Sequence, residues 1–181
     1  MKPLFSIITI TYNAAETIET TFRSVVGQSF TDYEYIVVDG DSKDGTVDFL
    51  RSRKDCLAVF ISEPDKGLYD AMNKGMHLAK GEYLIFLNAG DTLADIAVSI
   101  GSSRPDVIYG ETALVNDKRE FLGMRRLKAP ETLNWKSFRM GMLVCHQAFI
   151  AKRTLAPDYD LSYRFSSDFD WCIRCMKRAG T

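Results

Sequence analysis

Four apolar runs in the first half of the chain each end in polar side chains, the arrangement that lets one edge of a sheet hold a charged ligand. Phe5 to Thr11 leads into Tyr12 and Asn13, Tyr33 to Asp39 into Asp41, Leu57 to Ser62 into Glu63 to Lys66, and Tyr83 to Leu87 into Asn88 to Asp91. In open parallel sheets, ligands bind beyond the carboxyl ends of the strands, so these residues are candidates for one shared pocket. Lys66 and Gly67 open a helical pattern. A helix N-terminus with a flexible glycine and a nearby ammonium suits a diphosphate. Asp70 and Asn73, one turn apart, share the helix face that would turn toward the same pocket. His146 and Gln147 follow an apolar run and are further polar candidates for the site. Asp39 and Asp44 each precede a glycine, so a turn role is the competing reading of Asp39.

These residues need a frame. Strand-like runs alternating with helix-like patterns imply βαβ units and a parallel sheet covered on both faces. Ile18, Phe22, Val25 and Val26 have the spacing of one buried helix face. Asn13 is expected to cap that helix, with Glu16 completing a capping box. Leu68, Met72, Met76 and Ala79 predict another helix, ended by Gly81 in the left-handed conformation. After Asp91 the pattern loosens: a strand is expected at Val107 to Tyr109 and extended segments near Thr112 to Val115 and Leu143 to Ile150. A last helix is expected from about Ser167 to Arg178, with Phe169, Cys172, Ile173 and Met176 on one face and Gly180 as its stop. No internal repeat, low-complexity tract or inter-domain linker interrupts the chain.

With 181 residues and 46% hydrophobic content, the sequence can bury one substantial core, so a single domain is expected. A net charge of −1 argues against a basic face for nucleic acid. No apolar run is long enough for a signal peptide or a membrane span, which predicts a cytoplasmic protein, with peripheral contact at the inner membrane face if it acts on a lipid-linked molecule. Cys172 and Cys175 form a C-x-x-C within a helical pattern, without the preceding strand of a redox motif or two further zinc ligands. Together with Cys56 and Cys145 they read as core-facing thiols in a reducing compartment. Arg125, Arg126 and Lys128 form a short basic cluster that reads as solvated surface or as a contact for an acceptor phosphate.

Three longer segments, Ile7 to Asn13 (IITITYN), Val37 to Thr46 (VVDGDSKDGT) and Glu63 to Asp91 (EPDKGLYDAMNKGMHLAKGEYLIFLNAGD), resemble family 2 glycosyltransferases in order and spacing. A weaker match, Asp168 to Arg174 (DFDWCIR), lies near the end. The resemblance implies a GT-A fold, inversion at the sugar, and a nucleoside-diphosphate sugar as donor. It implies a nucleotide-sugar-binding half over about residues 1–92 and an acceptor half over about 93–181, the latter expected to be cut short because relatives often continue with further helices. By the same resemblance Thr11, Tyr12, Asn13 and Asp39 hold the nucleobase and ribose. An ionised carboxylate only accepts hydrogen bonds, which suits Asp39 to a uracil or guanine N–H and favours a UDP-sugar.

Asn88 to Asp91 stands where the family carries several aspartates that bind a divalent cation. Two of those positions are Asn88 and Gly90 here, which leaves Asp91 as the strong oxygen ligand. Mg²⁺ or Mn²⁺ can be held by one carboxylate when a diphosphate supplies the rest, so binding is expected to depend on nucleotide. Asp168 matches the aspartate of the family's Glu-Asp motif, with Ser167 in the glutamate position, and its implied role is general base. A helix N-terminus favours negative charge there. Asp170 is the competing candidate.

Other classes explain less. Ile36-Val37-Val38-Asp39 with Asp41 also resembles the acidic pocket of a phosphoacceptor receiver domain, but such domains are shorter and leave the region from Lys118 onward unexplained. A non-catalytic nucleotide-binding relative is the alternative suggested by the depleted acidic motif. A dinucleotide-dependent oxidoreductase is disfavoured, because the first strand leads into Thr11 to Glu16 without a G-x-G-x-x-G.

Overall fold

The computed structural model describes residues 2–95, 104–116 and 118–180. In chain order the strands are β1 (Phe5–Thr11), β2 (Tyr33–Asp39), β3 (Val59–Ser62), β4 (Tyr83–Phe86), β5 (Val107–Tyr109), β6 (Ala113–Val115), β7 (Phe121–Met124) and β8 (Phe149–Lys152). The α-helices are α1 (Ile18–Val26), α2 (Thr46–Arg51), α3 (Leu68–Leu78) and α4 (Ser167–Arg178). β1, FSIITIT, is rich in β-branched residues and is buried along its whole length, as expected for a strand flanked by neighbours in a sheet covered on both faces.

The six-stranded sheet runs in the order β3-β2-β1-β4-β8-β5. β3, β2, β1 and β4 pair in parallel, whereas β8 pairs antiparallel with both β4 and β5. Strands from both halves of the chain therefore share one sheet, and β6 and β7 form a separate hairpin. Alternation along β1 divides the interior in two. Phe5 and Ile7 pack with Ile18, Phe22, Val25 and Leu50 from α1 and α2. Ile8 and Ile10 pack with Ala71, Met72 and Met76 of α3 and with Trp171, Cys172, Cys175 and Met176 of α4.

The strands β1 and β2 and the last helix lie where the pattern placed them. Other expectations need correction. The third strand starts at Val59, because a 3₁₀ turn at Lys54–Cys56 uses the residues before it. Asn13 does not cap α1: the cap position is Thr17, without a side-chain cap bond. The Asn13 Oδ1 accepts instead from the Lys43 N–H, 3.0 Å away, so the Asn13–Glu16 capping box is absent. Val26 is exposed, leaving Ile18, Phe22 and Val25 as the buried stripe.

Gly81 is not the left-handed end of α3, which stops at Ala79 in an extended conformation. Its role is close approach, since a Cβ there would lie 2.5 Å from both the backbone nitrogen and the hydroxyl of Ser6. The Leu143 to Ile150 segment becomes a 3₁₀ turn at His146–Ala148 followed by β8. Gly180 follows α4 with φ 75°, the left-handed stop its position suggested. Cys172 and Cys175 are buried thiols, and burial pushes Cys175 up to about 12. Cys56, by contrast, is exposed. Among the described residues no helix is long and apolar enough to cross a membrane.

Candidate active site

Because β1 and β2 run parallel in register, Thr11 stands beside Asp39 and both loops leave the same edge of the sheet. The loops are laced together: the Gly40 N–H donates to the Thr11 carbonyl at 2.9 Å and the Asn13 N–H to Ser42 Oγ at 2.8 Å. Asn13 and Asp41 both take positive φ, 47° and 66°, an uncommon choice for residues with a side chain. The Asp39 carboxylate is fully buried. Its Oδ1 accepts from the Ser42 hydroxyl, and its Oδ2 from the Ser42 N–H at 2.9 Å and from Ser62 Oγ at 2.7 Å. Asp39 thus stands behind the loop it shapes and does not line the cavity. For the same reason it is not presented for phosphorylation, as a receiver domain would require.

Beyond these strand ends lies a cavity of about 630 Å³, lined by Ile10, Thr11, Tyr12, Gly40, Asp41, Lys43, Pro64, Asp65, Gly67 and Leu68. That volume is in the range of small-ligand sites. Tyr12 exposes most of its ring, whereas the Thr11 hydroxyl is buried without a hydrogen-bond partner. Gly40 keeps the cavity open, because a Cβ there would meet Asp65 Oδ2 at 2.7 Å and the Tyr12 ring at 3.3 Å.

The start of α3 borders the cavity through Gly67 and Leu68. Gly67 has φ 110°, and its N–H donates to Asp65 Oδ1 at 2.7 Å. Asp70 turns back on this loop, accepting from the Lys66 N–H at 3.0 Å. Lys66 itself is exposed and is not part of the cavity wall. Asn73 does not face the pocket as its spacing suggested. Its amide is buried and clamps the backbone of Tyr159 on both sides, donating to the carbonyl at 3.0 Å and accepting from the N–H at 2.7 Å.

The loop after β4 reaches the same edge of the sheet. Thr21 of α1 fixes it, accepting from the Gly90 N–H and donating to the Asp91 carbonyl, both at 2.8 Å. Asp91 Oδ2 accepts from Gln147 Nε2 at 3.0 Å, so two residues singled out in the sequence meet. Desolvation holds the Asp91 carboxyl above its ordinary range, against the opposing Gln147 hydrogen bond. Among the described residues Asn88 Oδ1 is buried without a hydrogen-bond partner. Among the described residues no three His, Cys, Asp or Glu side chains gather into a metal cage. Asp91 therefore suits only an ion that takes most of its oxygen ligands from elsewhere, such as a diphosphate.

Asp168 sits in the first turn of α4, where its Oδ1 accepts from the Tyr69 hydroxyl at 3.1 Å. Asp170 points elsewhere and is held by Arg174, with Nε and Oδ2 2.6 Å apart. Ser167 is buried, its hydroxyl donating to the Asp160 carbonyl at 3.0 Å. His146 is not a pocket residue. Its ring is buried among Phe86, Tyr159 and Trp171, with Nε2 2.7 Å from the Tyr159 hydroxyl, and burial pulls its pKa down to about 4. Arg125 is also taken up structurally, donating to the Met142 carbonyl at 2.7 Å.

Of the residues picked from the sequence, Thr11, Tyr12, Asp41 and Gly67 line the cavity, whereas Asp91 and Gln147 meet each other at the loop after β4 and Asp168 meets Tyr69, next to Leu68 of the cavity wall. Lys43, Asp65, Thr21 and Tyr69 were not singled out. Asp65 lay within a polar strand end already noted, whereas Thr21 and Tyr69 act through distant partners and leave no local signal.

The fold is that of the GT-A glycosyltransferases. The structure superposes on a 349-residue fragment of Staphylococcus aureus TarS, solved in complex with UDP-GlcNAc, with a TM-score of 0.76 at 19% identity over 96% of this chain and 53% of that one. The chain thus spans about half of that fragment and 33% of the longer TarS structure. The family model for glycosyl transferase family 2 matches residues 6–156, and the chain belongs to that family. A PGL/p-HBAD biosynthesis glycosyltransferase of Mycobacterium tuberculosis is 35% identical over 96% of this chain and 70% of its own length. Bacillus subtilis TuaG, named as a candidate for teichuronic acid biosynthesis, is 41% identical over 50% of this chain and 37% of its own.

Proposed function

We propose that this glycosyltransferase moves a sugar from a UDP-sugar to an acceptor hydroxyl with inversion, in polysaccharide or glycolipid biosynthesis. The observation that carries the reading is the convergence at one sheet edge. The cavity of about 630 Å³ is walled by Thr11, Tyr12 and the first residues of α3, with Asp168 tied to the next residue of that helix. Complexes of TarS with UDP and with UDP-GlcNAc favour the same donor class.

In this reading the nucleoside lies against the exposed ring of Tyr12, beside Thr11 in the cavity wall. Asp39 acts at one remove, holding the Gly40–Ser42 loop in shape. The diphosphate lies at the N-terminus of α3, where Gly67 leaves room and Lys66 adds positive charge. Asp91 would hold Mg²⁺ or Mn²⁺ together with diphosphate oxygens, and the ion would stabilise negative charge on the leaving group. Asp168 takes the proton of the acceptor hydroxyl. As its oxygen bonds to the anomeric carbon, the bond to the diphosphate breaks on the opposite face and the nucleoside diphosphate leaves with the electron pair.

A thermal-shift series with UDP, GDP, CDP and dTDP, each with and without Mg²⁺ or Mn²⁺, tests the donor assignment. A ligand that binds only the folded state raises Tm. UDP with metal is expected to give the largest rise, and no rise with any of the four would remove the reading.

A further inference from the structure

We infer that Tyr69 is the positioning residue for Asp168, setting one carboxylate oxygen so that the other faces the acceptor. The inference rests on the reading of Asp168 as general base.

Three contacts carry it. First, the Tyr69 hydroxyl donates to Oδ1 of Asp168 at 3.1 Å across 99 residues of sequence. A donor fixed on one oxygen restricts carboxylate rotation and leaves Oδ2 for the proton of an incoming hydroxyl. Second, the Tyr69 ring is itself held. It stacks on Tyr159 with centroids 5.8 Å apart and planes at 18°, and Tyr159 stacks on Trp171 of α4 at 5.1 Å and 11°. Trp171 is one turn along the helix that bears Asp168. Third, Asn73, one turn beyond Tyr69 on α3, grips both backbone groups of Tyr159. The spacing between α3 and α4 is therefore set by ring thickness and by a two-point amide clamp, and the phenol hydroxyl is delivered to the carboxylate by that spacing.

Tyr69 is two residues after Gly67 and one after Leu68, both of which wall the cavity, so its hydroxyl reaches Asp168 from beside the donor site. Burial raises the Tyr69 pKa, with the Asp168 charge adding to it, so the phenol stays protonated and remains a donor.

Tyr69→Phe keeps the stacked ring and removes only the hydroxyl. With UDP-glucose and UDP-GlcNAc as donors and UDP release as the readout, kcat is expected to fall about tenfold or more, while donor KM and the thermal shift given by UDP stay at wild-type values. Tyr69→Leu, which also removes the ring, is expected to lower Tm in addition. The double variant Tyr69→Phe/Asp168→Asn is expected to be no slower than Asp168→Asn alone, because the hydroxyl acts through the carboxylate. Wild-type kcat in Tyr69→Phe alongside a slow Asp168→Asn, or effects that multiply in the double variant, would overturn the inference and leave the base reading standing. Wild-type turnover in Asp168→Asn would overturn both.

Discussion

Gln147 and Asp91, 56 residues apart, meet through a 3.0 Å hydrogen bond from Nε2 to Oδ2, which joins the loop after β4 to the turn before β8. The amide takes one of the two carboxylate oxygens, and desolvation raises the pKa of Asp91.

One aspartate so placed makes a weak site by itself. Metal binding is therefore expected to depend on nucleotide, and Asp91→Ala should abolish the metal-dependent part of UDP affinity while leaving the metal-free part intact. Calorimetric titration of UDP with and without Mn²⁺ measures both parts. The metal-dependent part should also fade on acidification at a higher pH than an ordinary aspartate would give, because protons compete for a carboxyl whose pKa is raised. Tight Mn²⁺ binding to the nucleotide-free protein would contradict this account.

Asp168→Asn keeps the shape of the side chain and removes the proton acceptor. Turnover is expected to fall by about 10² to 10⁴ while UDP binding persists. Asp170→Asn should be far milder, since it loosens only the helical pair with Arg174, a partly exposed contact of the kind that contributes under about 1 kcal/mol. A larger loss from Asp170→Asn than from Asp168→Asn would reverse the assignment.

Asp39→Ala leaves two serine hydroxyls and a backbone N–H of the same loop without their acceptor. The expected cost is about 1 to 3 kcal/mol of folding stability, together with weaker UDP binding as the loop relaxes. Chemical denaturation and UDP titration on one preparation separate the two effects. Full stability with lost binding would mean that Asp39 contacts the ligand directly.

Stability should depend on pH through His146. Its folded pKa lies near 4, lowered by burial and only partly restored by the charge of Asp168, against 6.5 for a free side chain. Between pH 6.5 and about 4 the unfolded chain binds the proton and the folded one does not, so the stability present above pH 6.5 is lost through that window. The full difference is about 3 kcal/mol, at 1.36 kcal/mol per pH unit. Urea denaturation at pH 7 and pH 4.5 should show the loss, and His146→Phe should reduce its pH dependence. An unchanged pH slope in the variant would assign the loss to other groups.

Much of the frame was legible in the residues themselves. β1 and β2 are continuous apolar runs and α4 is strongly periodic, so burial on both faces or along one stripe fixes their type and extent. The polar strand ends were equally readable, because a parallel sheet brings every such end to one edge whatever the details of packing. Thr11 and Tyr12 follow from that rule, Gly67 from the helix start it opens, and the motif order from Ile7 to Asp91 added the family.

Tertiary structure decided which polar side chains remain available to a ligand. Asp39, Asn73 and His146 have the right chemistry and the right region, yet each is buried against a partner 3, 86 and 13 residues away in sequence. Unpaired polar groups are costly in an interior, so packing assigned them to one another. The bond from Tyr69 to Asp168 had no local trace either, because it depends on how far α3 lies from α4. That distance is set by stacked rings and an amide clamp contributed by three separate segments, which periodicity and spacing along the chain do not encode.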